Sequence, residues 1–180
     1  MGADWTDVKV EMKDKINDIK KYIQSYSYSN TNDSAITDEV IFGFMIKELR
    51  RAKNILFTIL ETLYEIHEDQ TLINDLQLIR TQVDVFSDQL KKRTYELKYP
   101  DKNHLMELVL IDSSLVKNIE NLNTNLAEFL DRVLKGTKNP NLINDAFWEA
   151  VAKRFARSKN DMERVVTLFR ERESILKIDN

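Results

Sequence analysis

The stretch that decides the fold is LMELVLIDSSLVKNIENLNTNLAEFLDRV, residues 105–133. Its apolar residues recur at alternating spacings of three and four, which is the period of one face of an α-helix. The positions on this stripe are Leu105, Leu108, Asp112, Leu115, Ile119, Leu122, Leu126, Phe129 and Val133. Such a regular stripe predicts a long helix, helix 4, that packs on its neighbours through a heptad seam.

Three more long amphipathic helices are predicted on the N-terminal side of this stretch. Helix 1 spans about residues 4–26, and the polar tract at residues 25–34 predicts the loop that follows it. Helix 2 begins near Thr37, and helix 3 runs from about residue 71 to residue 97, before Pro100. Helix 2 also carries a second apolar row, which predicts several neighbours: Phe42, Ile46, Phe57, Leu60 and Tyr64.

The connections between these helices predict their arrangement. Short links at residues 68–71 and 99–101 place helices 2, 3 and 4 as antiparallel neighbours. The fold class predicted for residues 1–136 is therefore an all-α, up-down-up-down four-helix bundle of long helices. Residues 137–180 are predicted to form a C-terminal pair of shorter helices packed on the bundle within a single domain, with the second helix starting at Ser158.

Two glycines carry predictions about packing and helix ends. Gly43 lies inside helix 2, where glycine is less favourable than alanine, so we expect a neighbouring helix to approach closely at this point. Gly136 follows Lys135 at the end of helix 4, which is typical of a glycine that terminates a helix.

The composition excludes several classes of chemistry. The chain has no Cys and only three Gly, so it offers neither a disulfide framework nor a glycine-rich phosphate loop. The two histidines, His67 and His104, lack the Glu-x-x-His spacing of a di-iron bundle. Asp84 and Asp88 share a helix face, which we interpret as solvated rather than metal-binding. We therefore expect no catalytic residues, no cofactor and no metal, and we do not expect an enzyme.

The location of the protein is predicted from its apolar and terminal segments. The longest apolar run, residues 40–46, is far shorter than the roughly 20 residues that cross a bilayer, so no membrane span is expected. The first residues do not resemble a signal peptide, and a cytoplasmic protein is predicted. The start Met1-Gly2 fits the loose myristoylation pattern, and modification of Gly2 is left open.

Two charged residues occupy seam positions that the heptad pattern reserves for apolar side chains. Arg93 of helix 3 and Asp112 of helix 4 lie at one level if the chain folds back near residue 100. We therefore predict a structural ion pair between Arg93 and Asp112 that fixes the register of the two helices. A polar ligand cavity at this pair is the alternative interpretation.

A local excess of positive charge marks the C-terminal region. The net charge of the whole chain is only −3, so the basic residues here form a speculative binding patch rather than part of a general field. The patch comprises Lys153, Arg154, Arg157, Lys159 and Arg164. Two short helices with basic residues on the second have the outline of a helix-turn-helix, which is the basis for considering DNA.

The leading functional hypothesis is a non-enzymatic helical bundle that mediates protein–protein interaction or regulation. Its partner is another protein or a second copy of the chain, because the heptad stripes and the second row of helix 2 leave room for intermolecular helix pairing. One alternative is a DNA-associated regulator that uses the basic C-terminal pair. The other is a bundle that senses a small molecule or a metal ion.

Overall fold

A computed structural model describes residues 5–27, 31–66, 70–92 and 102–176, with side chains described from residues 12, 37, 70 and 104 onward in these segments. The described residues are almost entirely α-helical, and no strand occurs among them. The all-α class predicted from the sequence is confirmed. The helices are α1 (Trp5–Lys20), α2 (Thr31–Ile66), α3 (Gln70–Lys91), α4 (Lys102–Lys138) and α5 (Asp145–Leu176), with a 3₁₀ turn at Pro140–Leu142.

The helices form two compact units, and the first contains residues 1–45, 93–117 and 165–180. Its described elements are α1, the first part of α2, the first part of α4 and the end of α5. Apolar side chains from all four elements are buried together, which removes their surface from water and stabilises the unit. They include Ile19, Ile41, Met45, Leu108, Leu115, Val165 and Leu176.

The second unit contains residues 46–92 and 118–164, and it includes the whole of α3. Contacts between α2 and α3 run in opposite directions along the two helices: the Gln77 amide lies against Tyr64, whereas Asp84 lies against Lys53. The two helices are therefore antiparallel. The inner face of α3 is buried along its whole length through Ile73, Leu76, Ile79, Val83, Phe86 and Leu90.

The C-terminal region forms one long helix and not the predicted pair of shorter ones. Asn144 begins it, because its side-chain oxygen accepts a hydrogen bond from the Phe147 backbone N–H at 3.0 Å. The prediction that Ser158 starts a second helix is wrong. Ser158 is buried inside α5, and its hydroxyl donates to the Arg154 carbonyl one turn earlier. Helix-favouring neighbours such as Ala156, Arg157 and Met162 carry the helix through this point.

The ends of α1 and α2 also differ from their predicted positions. α1 stops at Lys20, and the chain continues in turns whose backbone bonds include Tyr22 N–H to Ile19 O at 2.9 Å. α2 begins at Thr31 and not near Thr37. The tract from residue 31 to 34 consists of Thr, Asn, Asp and Ser, and these residue types favour helix N-termini as well as loops, which explains the difference. Thr37 instead lies buried inside α2, where its hydroxyl donates to the Ser27 carbonyl.

Both predictions about glycine are wrong, for opposite reasons. A Cβ built on Gly43 would meet no atom within 4 Å, so no neighbouring helix approaches it closely. Gly136 does not end α4, which continues to Lys138, and no described glycine has a positive φ. A Cβ on Gly136 would lie 2.8 Å from the ring of Phe147. Gly136 is therefore a packing residue that makes room for an aromatic ring.

Some predictions concern residues that the structure does not describe. The continuation of helix 3 to residue 97 and its stop before Pro100 lie outside the described residues. The boundary between residues 136 and 137 stays a prediction. Within the described segments, none of the helices has the length and apolar character needed to cross a membrane.

Candidate functional site

A buried cluster of charged side chains lies in the first unit. Arg172 of α5 donates through Nε to Asp112 Oδ1 of α4 at 2.6 Å and through Nη1 to Asp38 Oδ1 of α2, also at 2.6 Å. Tyr26, which follows α1, donates its hydroxyl to Asp112 Oδ2 at 2.9 Å. Arg172, Asp112 and Tyr26 are each 0% exposed. The cluster thus joins four separate parts of the chain by charge-assisted hydrogen bonds.

The electrostatics of this cluster are dominated by burial. Removal from water raises the pKa of Asp112 above its ordinary value, because burial disfavours the charged carboxylate. The positive charge of Arg172 and the hydrogen bonds from Arg172 and Tyr26 oppose this rise, whereas the nearby Asp38 adds to it. The Arg172 guanidinium also lies 5.7 Å from the centre of the Phe42 ring, a cation–π distance.

The predicted ion pair and the observed one share only Asp112. Arg93 lies outside the described residues, so its contact with Asp112 stays a prediction. Arg172, the cation found at Asp112, was counted only as part of the general basic excess. A signal was nevertheless present, since Met162, Val165, Phe169, Arg172 and Leu176 are spaced by three, four, three and four residues. Arg172 therefore occupies a seam position of α5, as Asp112 does in α4.

The predicted basic patch does not form a helix-turn-helix, because all five of its residues lie on the uninterrupted helix α5. Lys153, Arg157, Lys159 and Arg164 are exposed. Arg154 is half-buried and forms an ion pair with Glu128 of α4. That ion pair borders an open groove of about 340 Å³, whose lining also contains Asp131, Arg132 and Lys135. The positive charge of Arg154 is thus offset by carboxylates.

The remaining candidate metal ligands from the sequence are two aspartates, Asp84 and Asp88, and the two histidines. Asp84 contacts Lys53 at 2.5 Å, and Asp88 contacts Lys91 at 3.1 Å, so each carboxylate already faces an ammonium group. His104 is exposed near the start of α4, and His67 lies outside the described residues.

The outer side of α3 exposes two large aliphatic side chains to solvent. Leu78 and Val85 are 56% and 53% exposed although both are large and aliphatic. They lie seven residues apart, which is two helical turns or about 10.5 Å along one side of the helix. We call this surface the α3 outer face, and its central residues, all of them exposed, are Asn74, Leu78, Thr81, Gln82, Val85 and Gln89. Two exposed acids, Asp75 and Asp88, lie at its edges, one turn from Leu78 and Val85 respectively.

Two aromatic residues of α2 extend the apolar surface next to α3. Phe57 and Tyr64 are 45% and 53% exposed and, like Leu78 and Val85, lie seven residues apart. Residues of α3 hold both rings: the Arg80 guanidinium lies 5.3 Å from the centre of the Phe57 ring, and Gln77 Nε2 donates to the Tyr64 hydroxyl at 2.6 Å. Both aromatics belong to the second apolar row recognised in the sequence, whereas Leu78 and Val85 were missed because they lie off the main stripe.

Comparisons of the chain with protein-family models, with curated proteins and with solved structures find no match.

Proposed function

We propose that the protein is a non-enzymatic helical protein that associates with a second copy of itself through the α3 outer face. The observation that carries this proposal is the exposure of Leu78 and Val85, 56% and 53%, at the centre of the α3 outer face. A helix that presents two aliphatic side chains two turns apart on one side has the heptad spacing through which helices pair. Burial of both side chains in water-excluded contact would supply the free energy of association.

The uncharged central strip of this face favours a second copy as the partner. In a symmetric dimer the same face of both copies forms the interface, so a face with many charges of one sign would repel its counterpart. Asn74, Thr81, Gln82 and Gln89, which lie beside and between Leu78 and Val85, carry no charge. The exposed acids Asp75 and Asp88 lie at the edges of the face, and Asp88 is paired with Lys91. Most other exposed surface, such as α5 with Lys153 and Arg157, carries charge and would not pair with itself as readily.

An antiparallel pairing of the two α3 helices satisfies both aliphatic residues at once. With the two-fold axis between Thr81 and Gln82, Leu78 of one copy faces Val85 of the other, and the reverse contact forms on the other side of the axis. Asn74 then faces Gln89, so amide side chains flank the aliphatic centre. Asp75 lies opposite Asp88, whose charge is offset by Lys91 of its own helix. This register is the specific prediction that the proposal makes.

The oligomeric state of charge variants tests the proposal. We expect light scattering after size-exclusion chromatography to give a dimer mass for the unaltered chain at high concentration. The double change L78E/V85E should give monomers, because carboxylates would face one another across the axis. The double change L78E/V85K should recover dimers, because each substituted position 78 then faces a position 85 of opposite charge, and added salt should weaken that recovery.

Leu142→Glu is the matched control, because Leu142 is a large aliphatic residue of the same unit that is 49% exposed but belongs to the 3₁₀ turn at Pro140–Leu142 and not to α3. It should leave the dimer unchanged. A monomer mass for the unaltered chain at all concentrations would contradict the proposal. Equal masses for L78E/V85E and L78E/V85K would contradict the antiparallel register.

The proposal also retains two expectations from the sequence. The up-down-up-down path of the four N-terminal helices belongs to it, supported by the antiparallel contact of α2 with α3. A cytoplasmic location belongs to it as well, with which a chain without cysteine is compatible. No specific observation favours the DNA-associated alternative, since α5 is one helix and Arg154 is paired with Glu128.

A further inference from the structure

An open groove of about 250 Å³ lies in the first unit, between the end of α1 and the first part of α4. Its polar lining comprises Lys15, Asp18, Lys21 and Tyr22 from α1 and the turns after it, and Ser113 and Lys117 from α4. The groove is somewhat smaller than the roughly 300–1,000 Å³ that hold a drug-sized ligand. Its size therefore suits a small ligand.

The lining of this groove has an excess of positive charge. It contains three lysines but one acid, Asp18. Lys21 Nζ lies 2.6 Å from Asp18 Oδ1, so the charges of these two side chains offset one another. Lys15 and Lys117 form no ion pair with any carboxylate among the residues that the structure describes. Two positive charges, one from α1 and one from α4, are therefore not offset by a partner in the lining.

These two lysines reach the same part of the groove from its opposite walls. The pKa of Asp18 is lowered, first by the hydrogen bond and the charge of Lys21, and further by the positive charges of Lys15 and Lys117. Salt screens exposed charges beyond about 8–10 Å, so both ammonium groups lie in the neighbourhood of one carboxylate. Like charges at such a distance repel one another, and an anion placed between them removes that repulsion.

The donors of the groove match a phosphate monoester better than a carboxylate. A phosphate monoester carries about −1.5 to −2 charges at neutral pH and has three strong acceptor oxygens, whereas a carboxylate has one charge and two oxygens. Lysine is a common point-charge partner of phosphate. Ser113 lies one helical turn before Lys117, on the same side of α4, and its half-buried hydroxyl is a third donor.

The aromatic residue of the groove indicates what the phosphate is attached to. Tyr22 is 49% exposed although it is large and aromatic. The centre of its ring lies 6.5 Å from that of Phe44 of α2, and the two rings meet edge to face at 61°. This contact holds the Tyr22 ring at the groove while about half of the side chain faces water. An exposed ring held in this way is a platform on which a flat ring, such as a nucleobase, stacks.

We propose that this groove binds a phosphate monoester that carries an aromatic ring, such as a nucleoside monophosphate. The phosphate lies between Lys15 and Lys117 and accepts a hydrogen bond from Ser113, and the ring stacks on Tyr22. The site goes beyond self-association through the α3 outer face, which belongs to the second unit. It also gives a definite place to the alternative of a bundle that senses a small molecule.

Calorimetric titration of the full chain with adenosine 5′-monophosphate (AMP), in a buffer without phosphate, tests the proposal. We expect saturable binding of one AMP per chain, with a dissociation constant on the order of 0.1–1 mM, because the groove is open and water screens its charges. The melting temperature should rise in the same range of AMP concentration. Inorganic phosphate and adenosine should each bind about tenfold more weakly or less, because each lacks one of the two contacts.

Three variants make the test specific. The double change K15Q/K117Q removes both lysines that lack an ion pair and should weaken AMP binding about tenfold or more. The matched control K13Q/K20Q removes two exposed lysines of α1 that lie outside the groove, with the same change in net charge, and should bind AMP as the unaltered chain does. Tyr22→Leu should weaken the binding of AMP but not that of inorganic phosphate, because only AMP has a ring to stack.

The outcomes of this titration separate the proposed site from general attraction of anions. Weaker AMP binding by K15Q/K117Q with unchanged binding by K13Q/K20Q would support the site. Equal affinities of these two double variants would overturn it, because the binding would then reflect the positive charge of the surface as a whole. No heat and no melting shift with AMP up to about 10 mM would also overturn it, as would equal affinities of the unaltered chain for AMP and inorganic phosphate. None of these variants alters the α3 outer face.

Discussion

At the scale of single residues, Arg172 and Asp112 form a fully buried ion pair. Both side chains are 0% exposed, and the distance between Nε and Oδ1 is 2.6 Å. Removal of one partner leaves the other charged and buried, and such changes typically destabilise a protein by about 3–5 kcal/mol. Removal of both partners avoids the isolated charge at Asp112.

We therefore expect Arg172→Met and Asp112→Leu each to lower the free energy of unfolding by about 3–5 kcal/mol, and the double variant to lose clearly less than the sum. Urea unfolding followed by circular dichroism measures all four corners of this cycle. We expect the double variant to remain less stable than the unaltered chain, because the Asp38 carboxylate also loses its contact with Arg172. Strict additivity of the two losses would contradict the pairing.

The two described helical glycines should respond in opposite directions to the same substitution. Gly43→Ala should stabilise the protein by about 0.5–1 kcal/mol, since Gly43 is exposed inside α2 and alanine is the better helix former. Gly136→Ala should destabilise it by about 1–3 kcal/mol, since its methyl group would overlap the buried Phe147 ring. The same urea titration compares them, and a stabilising Gly136→Ala would contradict the close packing of α4 on Phe147.

At the scale of helices, periodicity predicted the existence and type of each long element better than its ends. The stripe from Leu108 to Val133 is buried in α4 as the heptad pattern predicts, with Asp112 among its buried members. A helix that buries one face has an apolar residue at every third or fourth position, and this pattern is visible in the sequence alone. The ends depend on polar residues whose local hydrogen bonds suit both loops and helices, such as those from Thr31 to Ser34.

The C-terminal region contains a short motif that resembles a helix start, within a longer apolar stripe that continues through it. Ser158 followed three residues later by Asp161 resembles a helix start, yet Ser158 continues the stripe from Val151 to Met162 and is buried with both. Local sequence patterns were also insufficient to predict the candidate site. The spacing of α5 places Arg172 on a seam, but it does not predict the pairing with Asp112, because the two residues are 60 positions apart and their contact depends on tertiary packing.

A single proline distinguishes one long α5 from two short helices. Lys159 is exposed, so its side chain contributes little by itself. If Ser158 capped a second helix, residue 159 would be the first helical position, where proline is well tolerated. In an uninterrupted helix proline removes a backbone hydrogen bond and clashes with the preceding turn. We expect Lys159→Pro to destabilise the protein by about 3 kcal/mol or more, and Lys159→Ala to change stability by less than about 0.5 kcal/mol.

At the scale of the whole molecule, self-association links stability to protein concentration. A dimer that unfolds to two separate chains has a melting temperature that rises with concentration, because dilution favours the separated chains. Taking about 0.7 kcal/mol of unfolding enthalpy per residue for 180 residues in each of two chains, the rise is about 2 °C for each tenfold increase in concentration. This slope applies at concentrations at which the dimer remains associated up to the midpoint of thermal unfolding.

We therefore expect the unaltered chain to melt at a concentration-independent temperature when dilute and at a rising temperature above the dissociation constant of the dimer. Differential scanning calorimetry over a thousandfold range of concentration measures both regimes. The variant L78E/V85E should show no slope at any concentration, because the α3 outer face then repels its copy, whereas Leu142→Glu should keep the slope. If the melting temperature of L78E/V85E still rose with concentration, the copies would associate through a surface other than the α3 outer face. The reason is that this variant changes only the aliphatic centre of that face.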